Sequence, residues 1–301
     1  MADVVSRASP GARQVRATGI GGLAILLWAG LALLTTLAGP VPPFQLVAMS
    51  FGVAGTASLV LGAVEGRTLE RLRHPPMVWL LGVGGLFGYH FLYFLALESA
   101  PPVEANLVND LWPLLIVLFA GFLPGERLRW WHLAGAAAGL LGAVILVTRG
   151  FTAPLGQGDG LGYGAALAAA VTWAGYSVLS RRFGAVPSEA IGGFCAATAL
   201  LAVVCHLALE PTIWPAGATA WLAVAGLGIG PVGAAFFAWD FGVKHGNIKA
   251  LGGLSYLTPL MSTLLLVAAG RGTLSPSLGL ACLMIVGGAA LTARDLWAPA
   301  A

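Results

Sequence analysis

Charge is what this chain has least of. Asp, Glu, Lys and Arg supply 9% of its 301 residues, against about 25% in an ordinary soluble domain. So few charges cannot cover a soluble surface of that size, which excludes a soluble enzyme and a disordered tail. The net charge of +3 is too small to make nucleic acid a partner. Cysteine is also rare: Cys195, Cys205 and Cys282 all fall inside apolar runs, without disulfide or metal spacing. They read as small apolar packers. Protease signatures are missing as well. There is no His-Glu-x-x-His and no Gly-x-Ser-Gly, and the two in-run aspartates, Asp110 and Asp240, lack a Gly-x-Gly-Asp setting. No enzyme activity, cofactor or metal is expected.

Apolar residues dominate instead, at 58%, with 43 glycines that suit close helix packing in lipid. A membrane-crossing helix needs about 20 apolar residues. Runs bounded by Pro, Gly and charge predict ten such helices: 18–37, 43–64, 77–97, 103–123, 130–148, 161–180, 188–209, 219–243, 250–269 and 278–297. The expected fold is an all-α integral membrane protein with the bilayer as its solvent and no room for a soluble domain. The first run resembles a leader ending at Thr36-Leu37-Ala38, but it is long for one, and the repeat described below needs it as a structural helix.

The few charges then sort by side. Arg7, Arg13, Arg16, Arg67, Arg71, Arg73, Arg127, Arg129, Arg181, Arg182, Lys244, Lys249 and Arg294 fall on one face of a ten-span topology, and only Arg149 and Arg271 on the other. The positive-inside rule makes the first face cytoplasmic, with both termini there.

The halves repeat. Leu27-Trp28-Ala29-Gly30 matches Thr172-Trp173-Ala174-Gly175, and Leu111-Trp112-Pro113-Leu114 matches Leu257-Thr258-Pro259-Leu260. Gly142-Ala143 matches Gly288-Ala289 at nearly the same spacing. The expected parts are a tail at 1–17, a five-helix repeat at 18–148, a linker at 149–160 and a second repeat at 161–297. Five is odd, so the second copy enters from the opposite face. Inverted repeats of this kind serve alternating access around a midplane site.

That site is expected where the repeats match. Trp28 and Trp173 lie near mid-span, unlike tryptophans such as Trp79, Trp130 and Trp221, which read as an interfacial belt. Pro113 and Pro259 each remove a backbone N–H and should leave a carbonyl one turn earlier, at Asn109 and Ser255, without its partner. Asn106, Asp110 and Pro113 share a face, as do Ser255, Thr258, Pro259 and Ser262. Tyr89, His90 and Tyr93 on the third helix, with Tyr176 on the sixth, complete an aromatic, sparsely polar lining. Such a lining suits a small zwitterion with an apolar side chain, its ammonium received by ring faces. Asp110 or His90 is the candidate carrier if a proton is the coupling ion. Asp240, one turn from Lys244, reads as a structural ion pair, and His206 as a satisfied residue at the outer face. Glu98 and Glu104 read as solvated.

The mid-helix Trp of helices one and six and the central Pro of helices four and nine accompany a Pro124-Gly125-Glu126-Arg127 turn before a Gly/Ala-rich fifth helix. Together they resemble the EamA-like branch of the drug/metabolite transporter superfamily over about residues 18–297. Within it the chain looks like the aromatic amino acid exporters of bacterial inner membranes. The resemblance implies export of amino acids and related metabolites by alternating access. Many members carry an Arg midway along the second helix. This chain has Met49-Ser50 there, so no substrate role is carried over to that position. A sugar-phosphate exchanger of the same fold would need a base in the cavity, and none of the 15 lies at mid-membrane. A pump for cationic drugs would use Asp110.

Overall fold

The computed structural model describes residues 10–148, 151, 160–268 and 275–296, which form helices joined by turns and short irregular segments, with no strand among them. Most of the 149–160 linker lies outside the described residues, as do Arg149, Arg271 and Trp297. In chain order the helices are α1 (Pro10–Ala29), α2 (Leu31–Ala38), α3 (Pro43–Val64), α4 (Thr68–Leu72), α5 (Pro76–Ser99), α6 (Pro102–Asn109), α7 (Trp112–Ala120) and α8 (Trp130–Val147). The second part of the chain holds α9 (Gly160–Ser180), α10 (Ile191–Leu209), α11 (Gly217–Leu227), a π-helical segment (Gly228–Ala234), α12 (Ala235–His245), α13 (Ile248–Leu254), α14 (Leu257–Ala268) and α15 (Pro276–Thr292).

Every predicted run is helical, and prolines explain several of the starts. Pro43, Pro76, Pro102 and Pro276 occupy the first turn of their helices, where the missing N–H costs nothing and the fixed φ is already helical. Asn247 caps α13, its Oδ1 accepting from the Ala250 N–H at 3.0 Å.

Among the described residues six helical stretches are long and apolar enough to cross a membrane: Gly11–Ala38, Pro43–Val64, Pro76–Ser99, Trp130–Val147, Ser188–Leu209 and Gly217–His245. The other predicted runs depart for visible reasons. Two are interrupted, at Asp110–Leu111 and at Ser255–Tyr256. Helix α9 is diluted by Gly, Trp, Tyr and Ser, residues that pack on protein. Helix α15 stops at Thr292, short of residue 297. Its end is anchored by Asp295, which accepts from the Trp131 Nε1 at 3.1 Å and pairs with the His132 Nε2 at 2.9 Å. At the other extreme α1 starts eight residues before the predicted run, because nothing between Gly11 and Thr18 breaks a helix; residues 11–16 of that extension are exposed.

The helices pair across the halves: α1 with α12, α3 with α10, α5 with α9, α7 with α13, and α8 with α15. Glycine permits the closest approaches. A Cβ at Gly135 would lie 2.3 Å from the Thr292 Oγ1, and one at Gly21 would lie 2.9 Å from the Gly242 Cα. Gly160 and Gly164, by contrast, face open space.

Polar clasps sit at the two ends of the bundle. At one end Glu126 pairs with Arg181 (3.3 Å) and Lys249 (2.9 Å), and Asp240 pairs with Lys244 (2.7 Å), as its spacing predicts. At the other end the Glu210 carboxylate accepts from the backbone N–H groups of Phe44 (2.9 Å) and Gln45 (3.0 Å), capping α3 from a distant part of the chain. His206 lies against Glu210 and Thr212 at 3.0 and 2.9 Å, the satisfied residue its position suggests. Glu104 corrects an expectation: it is buried, because α6 packs its first turn against α9.

Candidate functional site

The site is built around two helix breaks. A proline in the first turn of a helix is favourable, whereas one in the interior costs about 3 kcal/mol. The run containing Pro113 therefore divides, so that the proline opens α7; Pro259 likewise falls in the first turn of α14. The two breaks are bonded to each other, Tyr256 in the second donating its hydroxyl to the backbone carbonyl of Asp110 in the first, at 3.2 Å. Gly252 lets α13 close on α7: a Cβ there would sit 3.1 Å from the Pro113 carbonyl oxygen. The expected free carbonyl at Ser255 is absent, since the Thr258 N–H bonds to it at 3.0 Å through a tightened turn.

Beside the breaks lies an aromatic cluster. Trp28 and Trp173, the repeat-matched pair, meet edge to face with ring centroids 5.7 Å apart. Trp239, Phe236 and Trp112 surround Trp28 at 5.2, 5.9 and 6.4 Å. Each such pair contributes about 0.5–1.5 kcal/mol beyond the area it buries. The indole N–H groups are matched. Trp239 donates to the Ser177 Oγ at 3.0 Å, and Trp28 to the Pro231 carbonyl at 2.9 Å. That carbonyl lies in the π-helical segment, where the Ala235 N–H bonds to Gly230 instead of Pro231.

Helices α5 and α6 add a polar ladder. Tyr93 donates its hydroxyl to the Asn106 Oδ1, and Asn109 donates its amide to the Tyr89 hydroxyl at 3.3 Å. The tyrosine rings stack at 5.9 Å, and Tyr89 reaches Trp173 at 5.5 Å, so the ladder joins the cluster. Tyr89, Tyr93, Asn106, Asp110, Trp112, Thr258 and Pro259 keep partial exposure. The Asn109 Oδ1 and Thr258 Oγ1 are buried without a hydrogen-bond partner. Among the described residues nothing bonds the Asp110 carboxylate.

The expected residues thus divide. Trp28, Trp173, Tyr89, Tyr93, Asn106, Asn109, Asp110, Thr258 and the two prolines come together. Tyr176 joins from behind, buried, with its ring 5.3 Å from Trp173. Ser255 does not take part: it is 1% exposed and spends its hydroxyl on the Leu251 carbonyl at 2.7 Å. His90 turns toward Phe51 (5.1 Å) and donates its Nδ1–H to the Leu86 carbonyl at 2.7 Å, within its own helix. Matching identical residues between the repeats missed Trp112, Phe236, Trp239 and Tyr256. A search for aromatics one or two residues from a break, or one turn beyond the Gly-Pro-Val-Gly stretch, would have found them.

Chemically, the arrangement offers ring faces for an apolar side chain or an ammonium group, and one free carboxylate. It also offers the N-termini of α7 and α14 near a single level. Such half-helix ends carry partial positive charge that favours a carboxylate.

The sequence profile of the EamA-like transporter family matches residues 19–148 and again residues 160–294. A protein of Ancylobacter novellus named an aromatic amino acid exporter, YddG, is 55% identical over 280 residues, covering 91% of this chain and 96% of its own. An Escherichia coli K12 protein of the same name is 28% identical, covering 92% and 96%. A solved crystal structure superposes with a TM-score of 0.87 at 54% identity, over 93% of this chain and 98% of the other.

Proposed function

Since the chain belongs to the EamA-like transporter family, we propose that it exports amino acids with aromatic or other apolar side chains across the bacterial inner membrane. The observation that carries this reading is the pair of broken helices, α6–α7 and α13–α14, joined by Tyr256 beside the Trp28–Trp173 cluster. Discontinuous helices meeting in this way are how secondary transporters present backbone dipoles to a small charged substrate within the bilayer. The aromatic cluster takes the side chain, the ends of α7 and α14 favour the carboxylate, and Asp110 with the Asn109 Oδ1 receives the ammonium.

Ten spans in two inverted five-helix halves supply the alternating access. The family profile matching twice supports this architecture, as does the pairing of α1 with α12 alongside that of α5 with α9, which a two-fold relation between halves would generate. Arg181 and Lys249 converging on Glu126 agrees with a cytoplasmic location for that end and for both termini. The names of the relatives favour aromatic amino acids as cargo. One observation favours a second reading, export of organic cations: Asp110 is a carboxylate without a countercharge.

The test is reconstitution into liposomes with labelled phenylalanine, tryptophan, alanine and an organic cation, with and without a pH gradient. Saturable counterflow of the aromatic amino acids is expected. Ohmic conductance would identify a channel and overturn the carrier reading, and flux of the cation alone would decide for the second.

A further inference from the structure

A crevice opens on the flank of the bundle, behind the aromatic cluster. It has a volume of about 430 Å³ between α3, the π-helical segment and the turn before α10. Its walls are apolar, and Ala57, Leu61 and Ile229 along them are all exposed. The end nearest the α3–α4 turn is charged instead, holding Glu65, Arg67, Arg71 and Glu189.

These four charges are not equivalent. Arg71 is buried and committed, with Nη2 on Glu65 at 2.7 Å and Nη1 on the Ser58 carbonyl at 2.9 Å. Arg67 is 56% exposed and uses its Nε on Glu70 at 2.9 Å, which leaves both terminal amino groups of a guanidinium that has five N–H donors. The carboxylate of Glu189 is half-buried, with no hydrogen bond or ion pair among the described residues. An open guanidinium and an open carboxylate thus stand together at the end of an apolar channel.

We propose that this crevice binds a membrane phospholipid with a primary-amine zwitterionic headgroup, of the phosphatidylethanolamine type. Arg67 takes the phosphate through its terminal N–H groups, as guanidinium geometry favours. Glu189 takes the ammonium, and an acyl chain lies along Ala57, Leu61 and Ile229. The charge pattern selects this occupant. An anionic headgroup would leave Glu189 facing negative charge, and a choline headgroup has no N–H to donate. Because the π-helical segment forms one wall and its Pro231 carbonyl holds Trp28, the lipid would touch the element that steadies the aromatic site. The proposal depends on the membrane setting but not on the identity of the transported molecule.

The experiment is native mass spectrometry of the purified full-length chain, exchanged from detergent into equimolar dioleoyl-phosphatidylethanolamine, -phosphatidylcholine and -phosphatidylglycerol. Ethanolamine lipid should be retained over each of the others by about tenfold, the lower end of the scale of one hydrogen bond to a charged group. Glu189→Gln should erase the preference over choline lipid. Ala57→Trp, on an exposed position that leaves the fold alone, should block retention of all three. Equal retention of the three lipids by the wild-type chain, preference for phosphatidylglycerol, or undiminished binding by Ala57→Trp would each overturn the proposal. Thermal unfolding of both variants separates loss of the crevice from loss of the fold.

Discussion

The two helix breaks share a geometry and differ in chemistry. The break between α6 and α7 carries Asn109 and Asp110, the first with an unmatched buried oxygen and the second with a carboxylate that nothing bonds among the described residues. The break between α13 and α14 carries Ser255 and Tyr256, both nearly inaccessible and both hydrogen-bonded. At the first break the open groups belong to the break residues themselves, whereas at the second the unmatched atom is the Thr258 Oγ1, just inside α14. Unmade hydrogen bonds at buried positions are costly, and the Asn109 Oδ1 and Thr258 Oγ1 leave one open atom beside each break, with the carboxylate of Asp110 beside the first alone.

The comparison can be broken most forcefully at the tryptophans. Replacing Trp28 or Trp173 by Ala should abolish amino acid flux and cost about 3–5 kcal/mol of stability, the usual penalty for emptying a large aromatic site. The conservative pair is sharper. Trp28→Phe loses the bond to Pro231 as well as ring area, so it should be less stable than Trp173→Phe by about 1 kcal/mol. Chemical denaturation in detergent would reveal equal losses if that bond carries nothing.

Next come the breaks themselves. Asp110→Asn should lower flux about tenfold to a hundredfold, the scale of a hydrogen bond to a charged group, with melting temperature nearly unchanged. Its counterpart Ser255→Ala should leave flux at the wild-type level and stability within about 0.5 kcal/mol, since a serine bonded back to its own helix contributes little. Matched losses at the two positions would erase the asymmetry. Tyr256→Phe should fall between them, removing one hydroxyl bond of about 1 kcal/mol; an unaltered melting curve would show that the breaks are not tied together.

Much of this was legible beforehand, and the failures have physical causes. The helices could be read because lipid-facing segments announce themselves by length and apolarity, and prolines mark their starts. The breaks could not, because a proline inside an apolar run reads as a kink. Only the surrounding packing allows Pro113 to open a new helix. The π-helical segment was hidden for the same reason: Pro231 within Gly228–Ala234 removes a backbone N–H, which reads as a kink and does not say how the ladder around it re-forms. Trp28 and Trp173 were found because the repeat preserves them. Trp239 and Tyr256 escaped because their partners, Ser177 and the Asp110 carbonyl, are distant in the chain. Glu104 looked solvated beside two prolines, yet the first turn of α6 folds inward.

The bond between Trp28 and Pro231 has a rotational consequence. A π-helical insertion stores one residue more than the regular ladder needs, and here the carbonyl it frees is occupied by a side chain from the other half. If the halves part, that acceptor is vacated and the ladder can close by a single step. One residue of an α-helix corresponds to about 100° of turn. Such a step would swing α12 like a shaft, carrying Phe236 and Trp239 off the face they share with Trp28. In such a motion the segment would be the ratchet tooth and the Trp28 indole its pawl.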